Sequence, residues 1–289
     1  MAPCLTFSTG SLYLYSLDRC FALAAEYGFD GMEIMCDSRL DTRQPDNLRR
    51  LMDTYGIPVR SLHAPFLGRP LPGWEMEPVA VIKQTVALAE QIGAGHVVVH
   101  LPGRIGRALV LYGPRMWHLP AWPHSGAIRR WMADGGLARF QTGTSVKVCV
   151  ENMPILSNRL KRLLPALDQK KLIWWNTLEQ WPQVHDYLTM DTTHWATHGI
   201  DPLTAYRAGN SRIRHIHLSN FRDGKEHQLP HRGELDLAAL LRQVAADGFD
   251  GHIVLELNPQ TLEAVDEAKM RRNLAESAAF CREALNGVA

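Results

Sequence analysis

Six apolar segments of the sequence end in a histidine, an aspartate or a glutamate, and a turn-forming residue follows each ending closely. The six residues are His63, His100, Glu151, Asp191, His217 and Glu256. If their side chains meet, three carboxylates lie together, and they repel one another unless a cation or protons neutralise them. Imidazole with carboxylate suits Zn, Mn, Co or Fe, and an oxygen-rich set favours Mn or Mg. The residue types therefore predict a divalent metal site.

Glu151 is the most informative of the six residues. The apolar run 146–150 leads into it, and Asn152 and Pro154 stop the strand. The core does not need a carboxylate at this place, because any polar residue could end the strand. A functional role is therefore the better explanation of this glutamate.

The segments between these endings predict a barrel. Strand and helix signals alternate eight times, and such units form parallel strands joined by right-handed crossovers. The β-branched run 96–100 has no polar alternation, which is typical of a strand covered on both faces. The predicted strands are 5–8, 32–35, 59–63, 96–100, 146–151, 187–191, 213–218 and 252–257. Eight units predict a closed (β/α)8 TIM barrel, in which functional residues lie at the carboxyl ends of the strands.

No linker or composition shift divides the chain, so we expect one domain over residues 1–289 with long loops at about 101–127 and 152–176. The predicted helices are 18–27, 46–55, 75–92, 128–140, 177–185, 202–208, 236–246 and 263–285. Residues 104–145 are less regular, and glycines and prolines such as Gly113, Pro114 and Pro120 predict a loop over the front half of this range.

Most tryptophans fall in or near these two loops: Trp117, Trp122, Trp131, Trp174, Trp175 and Trp181. Indole rings at a barrel mouth can stack on a sugar or a base. They can equally pack the loops onto the barrel or form an interface of a homo-oligomer. The sequence leaves both interpretations open.

Charge and cysteine usage exclude several classes of protein. The chain has 31 Lys+Arg and 30 Asp+Glu, so its net charge of +1 gives no general reason to expect a polyanionic partner. Five scattered cysteines without a C-x-x-C pair exclude a zinc ribbon or a disulfide framework and suit a reduced compartment. Without a signal-peptide pattern or an apolar run of about 18 residues, we expect a cytoplasmic protein with no membrane span. The sequence also has no P-loop, nucleophile elbow or G-x-G-x-x-G motif.

The motifs around the six endings carry a resemblance. They are His-Ala-Pro at 63–65, His-Leu-Pro-Gly at 100–103, Glu-Asn-Met-Pro at 151–154, Asp-Thr-Thr-His at 191–194, His-Leu-Ser-Asn at 217–220 and Glu-Leu-Asn-Pro at 256–259. As a set and in this order, they resemble the xylose isomerase-like TIM-barrel superfamily over about residues 4–285. That superfamily contains sugar phosphate isomerases and epimerases and the endonuclease IV type of abasic-site nuclease.

The resemblance to the isomerases and epimerases implies one metal and two catalytic glutamates. Glu151, Asp191, His217 and Glu256 would bind a divalent metal such as Mn, Zn, Co or Mg. Glu151 and Glu256 would flank the substrate carbon, one removing a proton and the other returning it, while the metal stabilises an enediolate-like oxygen. The implied substrate is a small sugar or sugar-like hydroxycarbonyl compound, and the implied reaction is isomerisation, epimerisation or a related dehydration.

The resemblance to the nucleases implies further metal ligands. His63 and His100 would join Glu151 on a second metal, and His194 and His227 would belong to a third. These four histidines are thus candidates for a second metal site or for substrate contacts. The nuclease pattern has an aspartate two positions before His227, where this chain has Lys225, and a charged lysine cannot ligate a cation. Nucleic acid is therefore the less favoured partner. A non-catalytic barrel that keeps the metal site is a second alternative.

Overall fold

The computed structural model describes residues 3–65, 71–104, 106–121, 125–155 and 172–287. Eight parallel strands close into a barrel, which confirms the predicted α/β TIM-barrel fold. The barrel strands are β1 (Cys4–Ser8), β2 (Gly31–Met35), β3 (Val59–His63), β4 (His96–His100), β7 (Lys147–Glu151), β8 (Leu188–Asp191), β9 (Ile213–Leu218) and β12 (His252–Leu255). Around the barrel they follow one another in the order β1-β12-β9-β8-β7-β4-β3-β2.

Helices surround the barrel within the described part of the chain. They are α1 (Leu17–Glu26), α2 (Pro45–Tyr55), α3 (Pro78–Ile92), α4 (Ser125–Ala133), α5 (Gly136–Gln141), α6 (Thr192–Thr197), α7 (Pro202–Gly209), α8 (Leu237–Ala246) and α9 (Glu267–Leu285). Helix α3 shows why their boundaries were largely predictable: Pro78 opens it, and Gly93 ends it with a left-handed φ of 75°. No helix of the described residues is long and apolar enough to cross a membrane.

Side chains alternate between the two faces of the barrel strands. On β4 and β7, Val97, Val99, Val148 and Val150 pack in the apolar core between barrel and helices. The intervening positions face the barrel interior, where much of the packing is polar. Buried polar side chains on these alternate positions include Thr6, Ser8, Glu33, Ser61, His63, His96, Glu151, Thr189, Asp191, His215 and His217. The register pairs His100 with Glu151 and Asp191 with His217, so the predicted strand endings are neighbours around the mouth.

Part of the predicted 101–127 loop is a β-hairpin. Strands β5 (Gly106–Tyr112) and β6 (Arg115–Ala121) pair antiparallel around a turn at Gly113. The prediction of irregular structure there was wrong because Pro120 is compatible with a strand that pairs on one side only, where a missing N–H can be tolerated. Helix α4 also begins inside the predicted loop, at Ser125. Of the other predicted loop, residues 156–171 lie outside the described residues.

Other predictions also differ from the structure, among them the helix 128–140, which is divided into α4 and α5. The predicted helix 177–185 is a series of turns with a short 3₁₀ helix, Trp181–Gln183, because Pro182 has no N–H to continue an α-helical ladder. The last barrel strand ends at Leu255 and not at 257, so Glu256 lies one residue beyond the strand and its N–H donates to Leu218 O at 3.3 Å.

Candidate metal centre at the mouth of the barrel

The central cluster consists of Glu151, Asp191, His217 and Glu256, whose potential ligand atoms all lie within 4.8 Å of one another. His217 Nδ1 lies 3.0 Å from Glu151 Oε1 and 3.1 Å from Glu256 Oε2. The side chains of Glu151, Asp191 and His217 are at most 1% exposed, whereas that of Glu256 is 14% exposed. The cluster is therefore open to solvent mainly on the Glu256 side.

Asp191 is oriented by its own helix and by the neighbouring strand. Its Oδ1 caps α6 by accepting from His194 N at 2.8 Å and from Thr193 Oγ1 at 2.9 Å. Two hydrogen bonds join the Asn152 side chain to the Asp191 backbone. Asn152 Oδ1 accepts from Asp191 N at 2.7 Å, and Asn152 Nδ2 donates to Asp191 O at 3.1 Å. The other carboxylate oxygen, Oδ2, is buried and has no hydrogen-bond partner among the described residues. A buried carboxylate oxygen without a donor, beside two more carboxylates, fits a bound cation.

His63 and His100 form a second cluster with Glu151. Glu151 Oε2 lies 3.1 Å from His100 Nε2 and 3.5 Å from His63 Nε2, and the two Nε2 atoms are 3.1 Å apart. His63 Nδ1 donates to Ala64 O at 2.8 Å, which directs its Nε2 toward Glu151. Two imidazoles and a carboxylate in this arrangement could bind a second metal.

His194 and His227 form a third cluster with Asp191. His194 Nδ1 donates to Asn152 O at 2.7 Å, so its Nε2 faces Asp191 Oδ2 at 3.9 Å and Glu226 Oε1 at 3.8 Å. Lys225 is exposed on the edge strand β11 (Lys225–Gln228), which pairs with β10 (Asn220–Arg222). The structure thus brings together the four additional histidines in two groups, each sharing a carboxylate with the central cluster.

The charges in the cluster act strongly on one another. Burial would lower the pKa of His217, but the negative charges of Glu256, Glu33 and Glu151 hold this pKa well above its usual value. Burial also raises the pKa of Glu256, whereas for Glu151 the charges of His217 and His100 overcome burial and hold the pKa well below the usual range. A proton on His217 Nδ1 therefore compensates the carboxylates, and a divalent cation could replace it.

Glu33 is the residue whose role the sequence did not reveal. Its side chain is 0% exposed and lies inside the barrel beneath the mouth. Its oxygens lie 3.1 Å from His217 Nε2 and 2.9 Å from His215 Nε2. A glutamate in the otherwise apolar strand Gly31–Met35 was the available signal, because a buried charge needs partners.

The described tryptophans divide between those that pack against other aromatic rings and one that contacts arginine side chains. Trp181 is fully buried and contacts Trp195 edge-to-face, so it belongs to the core. Trp131 packs against Phe140. Trp174, which is partly exposed, contacts two guanidinium groups, with Arg104 Cζ 5.1 Å and Arg129 Cζ 4.9 Å from the ring centroid. The side chains of Trp117 and Trp122 lie outside the described residues.

Solved structures with the same fold cover nearly the whole chain. A D-tagatose 3-epimerase-like protein matches with a TM-score of 0.62 and 20% identity over 100% of this chain and 98% of its own. An L-ribulose 3-epimerase matches with a TM-score of 0.61 and 17% identity, over 100% and 96%. An AP endonuclease, family 2, from Brucella melitensis matches with a TM-score of 0.64 and 17% identity, over 97% and 99%. At such identities the likeness shows the fold alone.

Curated relatives and a family model give the classification. An uncharacterized protein of Mycobacterium leprae (strain TN) is 29% identical over 294 residues, covering 95% of each chain. An uncharacterized protein of Mycobacterium tuberculosis (strain ATCC 25618 / H37Rv) is 29% identical over 296 residues with the same coverage. The family model described as xylose isomerase-like TIM barrel matches residues 21–283. The chain therefore belongs to the xylose isomerase-like TIM barrel family.

Proposed function

We propose that this protein is a divalent-metal-dependent isomerase or epimerase, or a closely related dehydratase, of a small sugar-like hydroxycarbonyl compound. The observation that carries the proposal is that Glu151 and Glu256 both lie within 3.1 Å of His217 Nδ1, beside a buried oxygen of Asp191 that has no donor among the described residues. Three carboxylates around one imidazole offer both a cation site and two acid/base groups.

The residues of the central cluster would bind the metal and transfer the proton. Glu151, Asp191, His217 and Glu256 would hold the cation, which when bound polarises a carbonyl and acidifies the adjacent C–H. Glu151 and Glu256 would remove and return the proton at the substrate carbon. The substrate would approach from the side of Glu256, whose side chain is 14% exposed, because the other three side chains of the central cluster are buried. His100 of the second cluster is 24% exposed and would also face the substrate.

Two points support a sugar-like substrate. Two of the solved structures with this fold, at 20% and 17% identity, are a D-tagatose 3-epimerase-like protein and an L-ribulose 3-epimerase. The opening is also polar, with imidazole and carboxylate groups that can bind hydroxyls.

Incorporation of solvent deuterium tests the proton transfer directly. The metal-reconstituted protein is incubated in D₂O with a panel of ketoses, aldoses and inososes, and exchange is followed by NMR. We expect exchange with at least one compound, and a loss of about 10²–10⁴-fold in Glu151→Gln and Glu256→Gln. Glu283→Gln, an exposed glutamate on α9, is the matched control and should remain active. Full activity of both cluster variants would overturn the two-glutamate mechanism.

A second candidate, a metal-dependent abasic-site endonuclease, is favoured by one observation. The clusters around His63 and His100 and around His194 and His227 flank the central one, so up to three metals could lie side by side. Incision of an abasic-site oligonucleotide, abolished by His63→Ala and without deuterium exchange in any sugar, would favour this candidate. Saturation at one metal per chain would count against it.

A further inference from the structure

Glu33 places a carboxylate directly behind the candidate metal centre. It lies on β2 between Met32 and Ile34, and its side chain is fully buried. Both of its oxygens have partners: Oε1 faces His217 Nε2 at 3.1 Å, while Oε2 accepts from Ser61 Oγ at 3.0 Å and lies 2.9 Å from His215 Nε2. This buried charge is thus held by three donors from two other strands, Ser61 on β3 and His215 and His217 on β9.

This contact determines which nitrogen of His217 faces the mouth. A carboxylate oxygen can only accept a hydrogen bond, so the proton between Glu33 and His217 belongs to Nε2. The other nitrogen, Nδ1, then points at Glu151 Oε1 and Glu256 Oε2, at 3.0 and 3.1 Å. In the neutral ring its lone pair is directed into the cluster.

The same carboxylate also restrains the orientation of the ring. His215 and His217 occupy alternate positions of β9, and their rings meet edge-to-face with centroids 4.8 Å apart at an interplanar angle of 81°. Because Glu33 contacts both rings, rotation of His217 would break a hydrogen bond to a buried charge, which is costly.

We propose that Glu33 is a positioning residue of the metal centre: it fixes His217 as the Nε2–H tautomer and raises the basicity of the Nδ1 ligand. The inference rests on the proposed function in one respect, namely that the central cluster binds a divalent cation. A carboxylate that accepts from the far nitrogen of a metal-binding histidine increases metal affinity, and its loss typically weakens binding about 10–100-fold.

Metal affinity separates this role from a purely structural one. Zn²⁺ binding is measured by competition with a chromophoric chelator, and Co²⁺ binding by its visible absorption spectrum. Glu33→Gln is nearly isosteric and retains one acceptor oxygen but loses the charge. We expect it to bind Zn²⁺ about 10–100-fold more weakly than the wild type and to show an altered Co²⁺ spectrum. Wild-type affinity and spectrum in a folded Glu33→Gln protein would overturn the inference.

Ser61→Ala is the matched control. It removes one neutral donor from Glu33 Oε2 but keeps the carboxylate and both imidazole contacts. We expect thermal stability to fall in this variant while Zn²⁺ affinity changes much less than in Glu33→Gln. Equal losses of affinity in the two variants would show that packing around Glu33, and not its charge, supports the centre.

A measurement on the wild-type protein tests the tautomer without any variant at position 33. In the Zn²⁺-loaded protein, ¹⁵N NMR of the histidine rings distinguishes a protonated nitrogen from a metal-bound one. We expect His217 to carry its proton on Nε2 and the metal on Nδ1, and the reverse assignment would overturn the inference. If the wild type binds neither Zn²⁺ nor Co²⁺, the proposed function itself fails, whereas wild-type binding that is insensitive to Glu33→Gln contradicts only the role of Glu33.

Discussion

Asp191→Asn should have opposite effects on stability in the absence and presence of metal. In the wild type, Asp191 Oδ2 is a buried carboxylate oxygen without a hydrogen-bond partner among the described residues, and two other carboxylates lie close to it. An asparagine retains the oxygen that caps α6, which accepts from His194 N and Thr193 Oγ1. It replaces the charged oxygen with an amide that can donate to a neighbouring carboxylate.

Two contributions set the change in the free energy of unfolding: the buried oxygen without a partner and the binding of the metal. An unsatisfied buried polar group costs about 1–3 kcal/mol, so we expect metal-free Asp191→Asn to be more stable than the metal-free wild type by about this amount. At a free metal concentration of 1,000 Kd, binding adds about 4.1 kcal/mol to the wild type. The variant loses most of this gain because it lacks a charged ligand, so the order of the two proteins reverses when metal is added.

Thermal unfolding in EDTA measures the difference in stability without metal, and thermal unfolding with added Zn²⁺ measures the difference with metal. For a chain of this size, about 1 kcal/mol corresponds to roughly 2–4 °C in Tm. Asp236→Asn is the matched control, because Asp236 also caps a helix through its Oδ1, accepting from Ala239 N at 2.9 Å, but lies outside the clusters. The control should respond to Zn²⁺ as the wild type does. An Asp191→Asn protein that is less stable than the wild type in EDTA and gains as much from Zn²⁺ would refute the reasoning.

Three further predictions concern the parts of the fold that support the site. Asn152→Ala removes two buried hydrogen bonds to the Asp191 backbone, so urea unfolding should show a loss of about 2–4 kcal/mol, and a loss below about 0.5 kcal/mol would contradict this role. Gly233→Ala should cost about 1–3 kcal/mol by the same assay, because the new Cβ would lie 2.1 Å from Asn220 Oδ1, which accepts from Phe221 N and Leu235 N. Burial, with the positive charges of neighbouring groups, lowers the pKa of His96 to about 2 and that of His252 to about 3. Their pKa values in the folded state lie below the unfolded value of about 6.5, so protonation at low pH favours the unfolded chain. The free energy of unfolding is therefore unaffected by these histidines above about pH 6.5. As the pH falls toward 3, it decreases by up to about 1.4 kcal/mol per pH unit for each histidine. In EDTA, His96→Gln should therefore lose stability less steeply than the wild type between pH 6.5 and 4, and parallel curves would contradict this assignment.

Local sequence patterns were sufficient for the barrel strands and for the residues that end them. The runs before His63, His100 and His217 were predicted with the observed boundaries, because each is a short buried strand bounded by glycine, proline or polar residues. The hairpin Gly106–Ala121 was missed, since its prolines and glycines are equally typical of loops and only the pairing of its strands distinguishes the two.

The sequence by itself determined the alternation of strands and helices and the types of residue at the strand ends, because both are local properties of the chain. Only the tertiary structure decided which side chains meet. Closure of the barrel joins Glu33 to His217, 184 positions away, and Asn152 to the His194 ring, 42 positions away. It also arranges the candidate ligands in three groups. The group with His63 and His100 shares Glu151 with the central cluster, and the group with His194 and His227 shares Asp191 with it. Such contacts depend on strand order, register and the inward direction of alternate side chains, and no local pattern contains that information.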